Sequence, residues 1–293
     1  LVVGYPGHLD VWLARILSWF SRTPLVMDVF MSPYLVATER GITRRHRWAS
    51  RLLYAFEWLT YRLPDRLLQD TEAYVAWFQK NFGVRPSRFR LVPTGADDRV
   101  FQRCNGAAPS RAYRVVYYGT FIPNHGVAHI VDAARRMQDE SDVIFELIGA
   151  GPDLQEVKAT VMKSGLQNVI FVRWLQQSEL VERLCKADIC LGAFGVTPQS
   201  LMTIQNKIFE ALALGLPVVT GDSPTIREAF DHRHHLYLVG RASGSAIASA
   251  IRELRSDPRL AGQIAEDGHA RFLDRYTLAA LGRLYVRHLS EFV

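Results

Sequence analysis

Six short apolar runs in the second half of the chain limit what it can fold into: RVVYYG (114–119), DVIFELIG (142–149), NVIFV (168–172), ICLGAF (189–194), PVVTG (217–221) and HLYLV (235–239). The first five each precede a segment of helical pattern, and the sixth is followed by one at about 244–256. The runs are apolar throughout and do not alternate, so both faces of the sheet they form must be covered. That is the pattern of a parallel α/β sheet with helices on either side. Right-handed crossovers then gather the loops, and any ligand, at the carboxyl ends of the strands.

A looser series of the same kind precedes it. LVVG (1–4), PLVMDV (24–29), RLLQD (66–70) and FRLVP (89–93) read as buried strands, with helices expected at 9–21, 41–62 and 72–82. The stretch 102–112, QRCNGAAPSRA, is rich in small and turn-forming residues and reads as a linker. The tail 261–293 reads as two further helices. At 293 residues the chain is comfortable for two domains. The expected division is 1–105, 106–275, and a C-terminal helix at 276–293 that packs back on the first domain.

Composition removes several function classes. Apolar residues make up 48% and charged residues 22%, the balance of a globular protein. No run of about 18 apolar residues suggests a membrane span, and no signal peptide is recognisable. The chain opens at Leu1 directly into a strand-like run, from which a missing N-terminal portion is expected. Cys104, Cys185 and Cys190 lack metal-ligand spacing, which argues against zinc. Their odd number and the apolar settings of Cys185 and Cys190 point to reduced thiols in a cytosolic compartment.

The net charge of +6 is concentrated. Arg40, Arg44, Arg45, Arg47, Arg51, Arg62 and Arg66 are interleaved with Trp48, Leu52, Leu53, Phe56, Trp58, Leu59 and Tyr61 at roughly helical spacing. A basic amphipathic helix over 40–62 can lie on an anionic membrane surface. The alternative is a solvated helix whose apolar face packs into its own domain. No recognition motif accompanies the run, so nucleic acid is not an expected partner.

Four loops at expected strand ends carry the chemistry. Gly119-Thr120-Phe121-Ile122-Pro123-Asn124-His125-Gly126 and Ile148-Gly149-Ala150-Gly151-Pro152 each join a strand to a helix. Their glycines let backbone amides approach a ligand at a helix's positive end, although such glycines are as often simple turn chemistry. Neither fits G-x-G-x-x-G, so a nicotinamide cofactor is not indicated. Arg173-Trp174-Leu175 offers a ring for a planar ligand, or equally a tryptophan packed at a domain edge. In NKIFEALALGLPVV (206–219), Lys207 and Glu210 are three apart and share one helical face. A carboxylate there can accept both hydroxyls of a ribose, and a lysine by the helix start suits a phosphate. A surface ion pair between the two is the plainer reading.

Together VVYYGTFIPNHG, LIGAGP, ADICLGAF and NKIFEALALGLPVVTGDSPTIRE resemble the donor domain of retaining glycosyltransferases of family 4, which have the GT-B fold. DTEAYVAWFQKNFGV followed by RLVPTGADDRVF is similar to the segment that ends that family's acceptor domain. The resemblance is specific for the family and not for a substrate. It implies an α/β protein of two Rossmann-like parallel-sheet domains facing a cleft, the N-terminal one incomplete here. It further implies transfer of a sugar from a nucleoside-diphosphate sugar to a lipid-linked or cell-envelope saccharide, with retention of anomeric configuration. No cofactor or metal is needed, and the setting is cytoplasmic, peripheral on the inner membrane face.

By the same resemblance Glu210 holds the ribose, Gly119, Thr120 and Lys207 line the diphosphate, and the turn at Trp174 holds the base. Thr203, Ile204, Gln205 and Asn206 present amides to phosphate and sugar, and the Gly149–Gly151 turn borders the site. Many members carry a second glutamate where this chain has Met202, and arginine and lysine where it has Thr120 and His125. Some members carry histidine there, and His125 is expected to bind the diphosphate as imidazolium, its pKa raised by the anion. On the acceptor side the candidates are His8, after a strand-like turn, and Asp28, at the end of PLVMDV. Two rival functions fit the same architecture: a nucleotide-sugar epimerase, and a non-catalytic protein that binds a nucleotide sugar or a partner.

Overall fold

Two parallel sheets form where the two series of apolar runs place them. The computed structural model describes residues 1–104 and 112–292, so most of the expected linker at 102–112 lies outside the described residues. The chain divides into a first unit, Leu1–Pro93 with Leu281–Val293, and a second, Thr94–Ala280.

The first unit contains β1 (Val2–Val3), α1 (Asp10–Ser21), β2 (Val26–Asp28), α2 (Pro33–Glu39), α3 (Ile42–Arg45), α4 (Arg47–Thr60), β3 (Arg66–Gln69), α5 (Glu72–Phe82) and β4 (Phe89–Leu91). Its strands pair in parallel in the order β1-β2-β3-β4. Helix α5 is bounded as its sequence dictates. Thr71 accepts the Tyr74 amide at its start, and Gly83, with φ +66°, closes it. The single helix expected at 41–62 is interrupted at His46 and becomes α3 and α4. Helix α2 is an addition to the expected elements: Ser32 caps it and Pro33 opens it, yet its seven residues are too few to show a periodicity. A buried carboxylate ties α2 to α4. Glu57 is 0% exposed, and it accepts hydrogen bonds from Ser32 Oγ (2.6 Å), the Tyr34 amide and the Tyr61 hydroxyl.

The second unit contains β5 (Tyr113–Tyr118), α6 (Val127–Arg136), β6 (Val143–Ile148), α7 (Leu154–Lys163), β7 (Val169–Val172), α8 (Gln177–Leu184), β8 (Ile189–Leu191), α9 (Pro198–Met202), α10 (Asn206–Ala213), β9 (Val218–Gly221), α11 (Pro224–Ala229), β10 (Tyr237–Val239), α12 (Gly244–Ser256) and α13 (Pro258–Arg275). A last helix, α14 (Leu278–Ser290), begins in this unit and ends in the first. There Arg90 pairs with Glu291 at 2.6 Å and His288 Nε2 donates to the Leu91 carbonyl at 3.1 Å.

The six strands are all parallel, in the order β10-β9-β8-β5-β6-β7. Two apolar layers cover the two faces, as the unbroken apolar runs require. Tyr117, Phe145 and Ile251 belong to one, Tyr118, Phe209 and Phe272 to the other. Each such side chain removed from water contributes about 2–3 kcal/mol. One charged group sits at the edge of this core: Glu146, 1% exposed, is held between Arg114 and Arg183.

The cysteines depart from expectation. Cys104 and Cys185 form a disulfide with their Cα atoms 5.4 Å apart, while Cys190 is free and buried. The reading of three reduced thiols is therefore corrected. The two partners are 81 residues apart, and only folding brings them together. Cys185 follows α8, and the Cys104 amide is pinned to the Leu214 carbonyl at 3.0 Å, beyond α10.

Candidate functional site

The strand order of the second sheet turns at β5. From there the chain runs outward through β6 and β7, then crosses back to β8 on β5's other side. In open parallel sheets such a switch point leaves a crevice at the carboxyl ends, between the loops that leave the two central strands. Here those loops are 119–126 after β5 and 192–197 after β8, and the sequence-expected residues gather around them.

Lys207 and Glu210, on α10, flank the carboxyl end of β5 through two adjacent tyrosines. Successive strand residues point to opposite faces, and Tyr117 and Tyr118 lie in opposite apolar layers. Glu210 meets Tyr118, whose hydroxyl also donates to the Lys207 carbonyl at 3.0 Å. The Lys207 ammonium instead reaches over the strand end to the other side. Its Nζ is 4.2 Å from the Tyr117 ring centroid and 3.4 Å from His125 Nδ1. Lys207 is only 7% exposed, and no ion pair within 4 Å joins it to Glu210 among the described residues. The surface pair considered from sequence is therefore absent.

Burial governs the electrostatics. It pushes Lys207 down to about 7, with the Glu210 carboxylate opposing. It pushes Glu210 up, against the Tyr118 hydrogen bond and the Lys207 charge. His125 is pushed down to about 3, by burial first and the Lys207 charge second, against its hydrogen bond to the Thr120 carbonyl. The expected imidazolium is thus overturned for the unliganded site: the histidine is neutral. Nδ1 donates to the Thr120 carbonyl at 2.6 Å, since that oxygen can only accept. Nε2 then carries the lone pair, and no hydrogen bond occupies it among the described residues.

The two glycine loops pack against each other at distances no side chain tolerates. A Cβ on Gly149, with φ +136°, would fall 2.1 Å from the Gly119 carbonyl oxygen. Loop 119–126 is also tied across the crevice. The Phe194 amide donates to the His125 carbonyl (2.9 Å), Ser200 Oγ to the Asn124 carbonyl (2.5 Å), and Asn124 Nδ2 to Gln199 Oε1 (2.6 Å). Arg241 braces the far wall, donating to the carbonyls of Gly195 at 2.9 Å and Asp222 at 2.7 Å. At the start of α10, Gln205 makes no side-chain capping bond; the Ile208 amide donates to the Gln205 carbonyl at 2.9 Å, and the amides of Asn206 and Lys207 face the anion position.

The other expected residues are placed as follows. Ile204 and Gln205 are buried just before α10. Gly151, with φ +156°, lies against the Phe121 backbone. Thr120 is exposed at the loop's edge. Trp174 is 59% exposed just past β7, two strands from β5 and hence about 10 Å away. In the first unit His8 is buried, its Nε2 3.3 Å from the Tyr61 hydroxyl, and Asp28 ends β2 with its pKa raised by burial. Sequence reasoning missed Tyr117, Tyr118, Asn124, Gln199, Ser200 and Arg241. The paired tyrosines before Gly119 were the one available signal; the rest are joined only by the fold. No cluster of three or more His, Cys, Asp or Glu able to hold a metal occurs among the described residues.

Comparison with known proteins bears on the fold and the reaction class. Residues 112–257 match the family described as Glycosyl transferases group 1, so the chain carries a glycosyltransferase domain. Among curated proteins it is 22% identical over 219 residues to the MMP alpha-(1->4)-mannosyltransferase of Mycolicibacterium hassiacum, covering 74% of this chain and 51% of that one. It is 25% identical over 185 residues to the lipopolysaccharide core biosynthesis glycosyltransferase LpsD of Rhizobium meliloti, covering 63% and 51%. The chain thus spans about half the length of the curated relatives it matches. Among solved structures, Anabaena HepE in complex with UDP and glucose superposes with a TM-score of 0.79 at 17% identity, covering 99% of this chain and 78% of that one. The fold is that of GT-B glycosyltransferases.

Proposed function

We propose that this protein transfers a sugar from a nucleoside-diphosphate sugar to a lipid-linked or cell-envelope saccharide, with retention of anomeric configuration. One observation carries the reading: a buried lysine ammonium without an ion-pair partner among the described residues, set at the switch point beside the start of α10, which no side chain caps. A diphosphate is the ligand that such a cation and such amides complete. The relatives' names support the reaction class, and one relative acts in lipopolysaccharide core synthesis.

In this reading Lys207 and the amides of Thr120, Gln205 and Asn206 bind the diphosphate, while Gly119, whose own amide donates to the Ile148 carbonyl at 3.0 Å, lines it without a side chain. They neutralise charge as it leaves, a preorganised electrostatic term. Glu210 accepts the ribose hydroxyls, Trp174 and its backbone flank the base, and Gly149 and Gly151 keep the loop floor free of side chains. Ile204 closes the apolar side. His125, being neutral with an open Nε2, accepts a hydrogen bond from a sugar hydroxyl, the role its tautomer suits. His8 and Asp28 are assigned to the acceptor. The cytoplasmic face of the membrane is assigned to the reaction from the family resemblance alone, since the Cys104–Cys185 disulfide withdraws the thiol argument. Retention is taken from the family resemblance; no carboxylate pair here argues for it.

Product analysis tests the proposal. A nucleoside-diphosphate hexose is incubated with and without a lipid-linked saccharide. Nucleoside diphosphate released only with the acceptor, together with a lengthened saccharide, is the expected result. A changed sugar still on its nucleotide indicates an epimerase, and a donor bound but never consumed indicates a binding protein.

A further inference from the structure

Between α2, α3 and α4 the first unit holds an open depression of about 700 Å³, whose lining includes Arg44, Arg47, Arg51, Tyr34 and Tyr54. That volume suits a small-molecule ligand. None of its lining residues is acidic. The three guanidinium groups make no ion pair within 4 Å and no hydrogen bond among the described residues. Arg47 and Arg51 also stand one turn apart on α4, where like charges repel and weaken the helix. Packing gives no reason to gather these cations, whereas an anionic ligand does.

The aromatic wall is a fixed surface. Tyr54 stacks on Phe82 with centroids 5.0 Å apart, and its hydroxyl donates to the Asn81 carbonyl at 2.7 Å. Tyr34 meets Tyr54 edge to face at 5.4 Å, and its amide donates to the buried Glu57 carboxylate. The depression also lies at the functional end of the unit. Glu57, in the last turn of α4, already reaches Ser32, which follows the carboxyl end of β2. The earlier turns, with Arg47 and Arg51, therefore stand beyond the carboxyl ends of the strands, where open α/β sheets take their ligands. Asp28 closes β2 at the same end.

Two chemistries meet here. A guanidinium fork matches the paired oxygens of a phosphate or a carboxylate. The negative face of an aromatic ring attracts the slightly positive C–H groups on one side of a pyranose. We propose that this depression binds an acidic saccharide: Arg44, Arg47 and Arg51 hold a phosphate or carboxylate on the sugar, while Tyr34 and Tyr54 pack against its ring. That this saccharide is the acceptor rests on the transfer function proposed for the protein; its binding concerns the first unit alone.

The test is calorimetric titration of the full chain with glucose 6-phosphate, glucuronate, glucose and inorganic phosphate. At least one acidic sugar should bind about tenfold more tightly than both glucose and inorganic phosphate, because only it engages arginines and rings together. Salt should weaken that binding. Arg47→Gln with Arg51→Gln should weaken it about tenfold or more, and should leave affinity for a nucleoside-diphosphate sugar unchanged. Both side chains are exposed, so the variant should melt no lower than the wild type. Three results overturn the proposal: no binding of either acidic sugar, glucose or inorganic phosphate bound as tightly, or acidic-sugar affinity unchanged in the variant. The two proposals fail separately. Acidic sugars bound by a protein that consumes no donor overturn the transfer function and uphold the pocket. Donor consumed with no acidic sugar bound overturns the pocket alone.

Discussion

The Lys207 ammonium nitrogen lies 4.2 Å from the centre of the Tyr117 ring and 3.4 Å from His125 Nδ1. A π face and a neutral imidazole are weak company for a buried charge. The resulting deficit of negative charge, at the end of β5, is what an anionic ligand relieves.

The first prediction concerns pH. In the free protein Lys207 titrates at about 7, and a bound diphosphate raises that value. Affinity is therefore greatest below pH 7 and falls as pH rises through 7 toward the ligand-bound value, by up to about tenfold per pH unit. Calorimetric titration with a nucleoside diphosphate from pH 6 to pH 9 should show the fall, and Lys207→Arg should flatten it. A flat wild-type profile would remove Lys207 from the diphosphate site.

Stability should move the other way. Because the folded-state value is below the ordinary 10.5, burying the charged amine disfavours folding. That cost is fully present below about pH 7 and disappears as pH rises toward 10.5. Lys207→Met should therefore raise stability at neutral pH, on the order of a few kcal/mol at most, while abolishing diphosphate binding. A lower melting temperature in this variant contradicts the electrostatic description of the site.

Gly119→Ala should damage both fold and binding. Gly119 has φ +134°, and a Cβ there would lie 2.9 Å from Lys207 Nζ. Backbone strain costs about 1–3 kcal/mol, and the ammonium must also move. Gly165→Ala is the control: its φ is +64°, but nothing lies within 4 Å of the new Cβ. Melting curves and nucleotide titrations of the two should separate, with only the first losing affinity.

The disulfide makes a chemical prediction. Unfolded without reductant, the chain should expose one thiol to maleimide, that of Cys190; after reduction it should expose three. Cys185→Ser should destabilise the second unit by about 4 kcal/mol, the chain-entropy value for a loop closed over 81 residues. Three reactive thiols without reductant would restore the reading made from sequence.

Much of the fold was legible because strands buried on both faces need unbroken apolar runs, and β5 to β10 each carry one. Helix α2 was not, since seven residues give no period. The break at His46, where φ is -127° and ψ 70°, carries no proline or glycine to announce it. At the site, the spacing of Lys207 and Glu210 pointed to one helical face. The lysine's crossing of the strand end to Tyr117 depends on where α10 sits over the sheet. The neutral state of His125 in the unliganded site was not legible, because burial, the largest influence on it, is invisible in a linear sequence. The Cys104–Cys185 bond was hidden for the same reason.

Direct titration of a panel of nucleoside-diphosphate sugars into wild-type protein and Glu210→Ala is the most decisive measurement. The account predicts one preferred donor for the wild type and a loss of affinity of about tenfold to a hundredfold in the variant, as two ribose hydrogen bonds to a carboxylate disappear. Equal affinity in the two proteins, or no binding of any donor by the wild type, contradicts it.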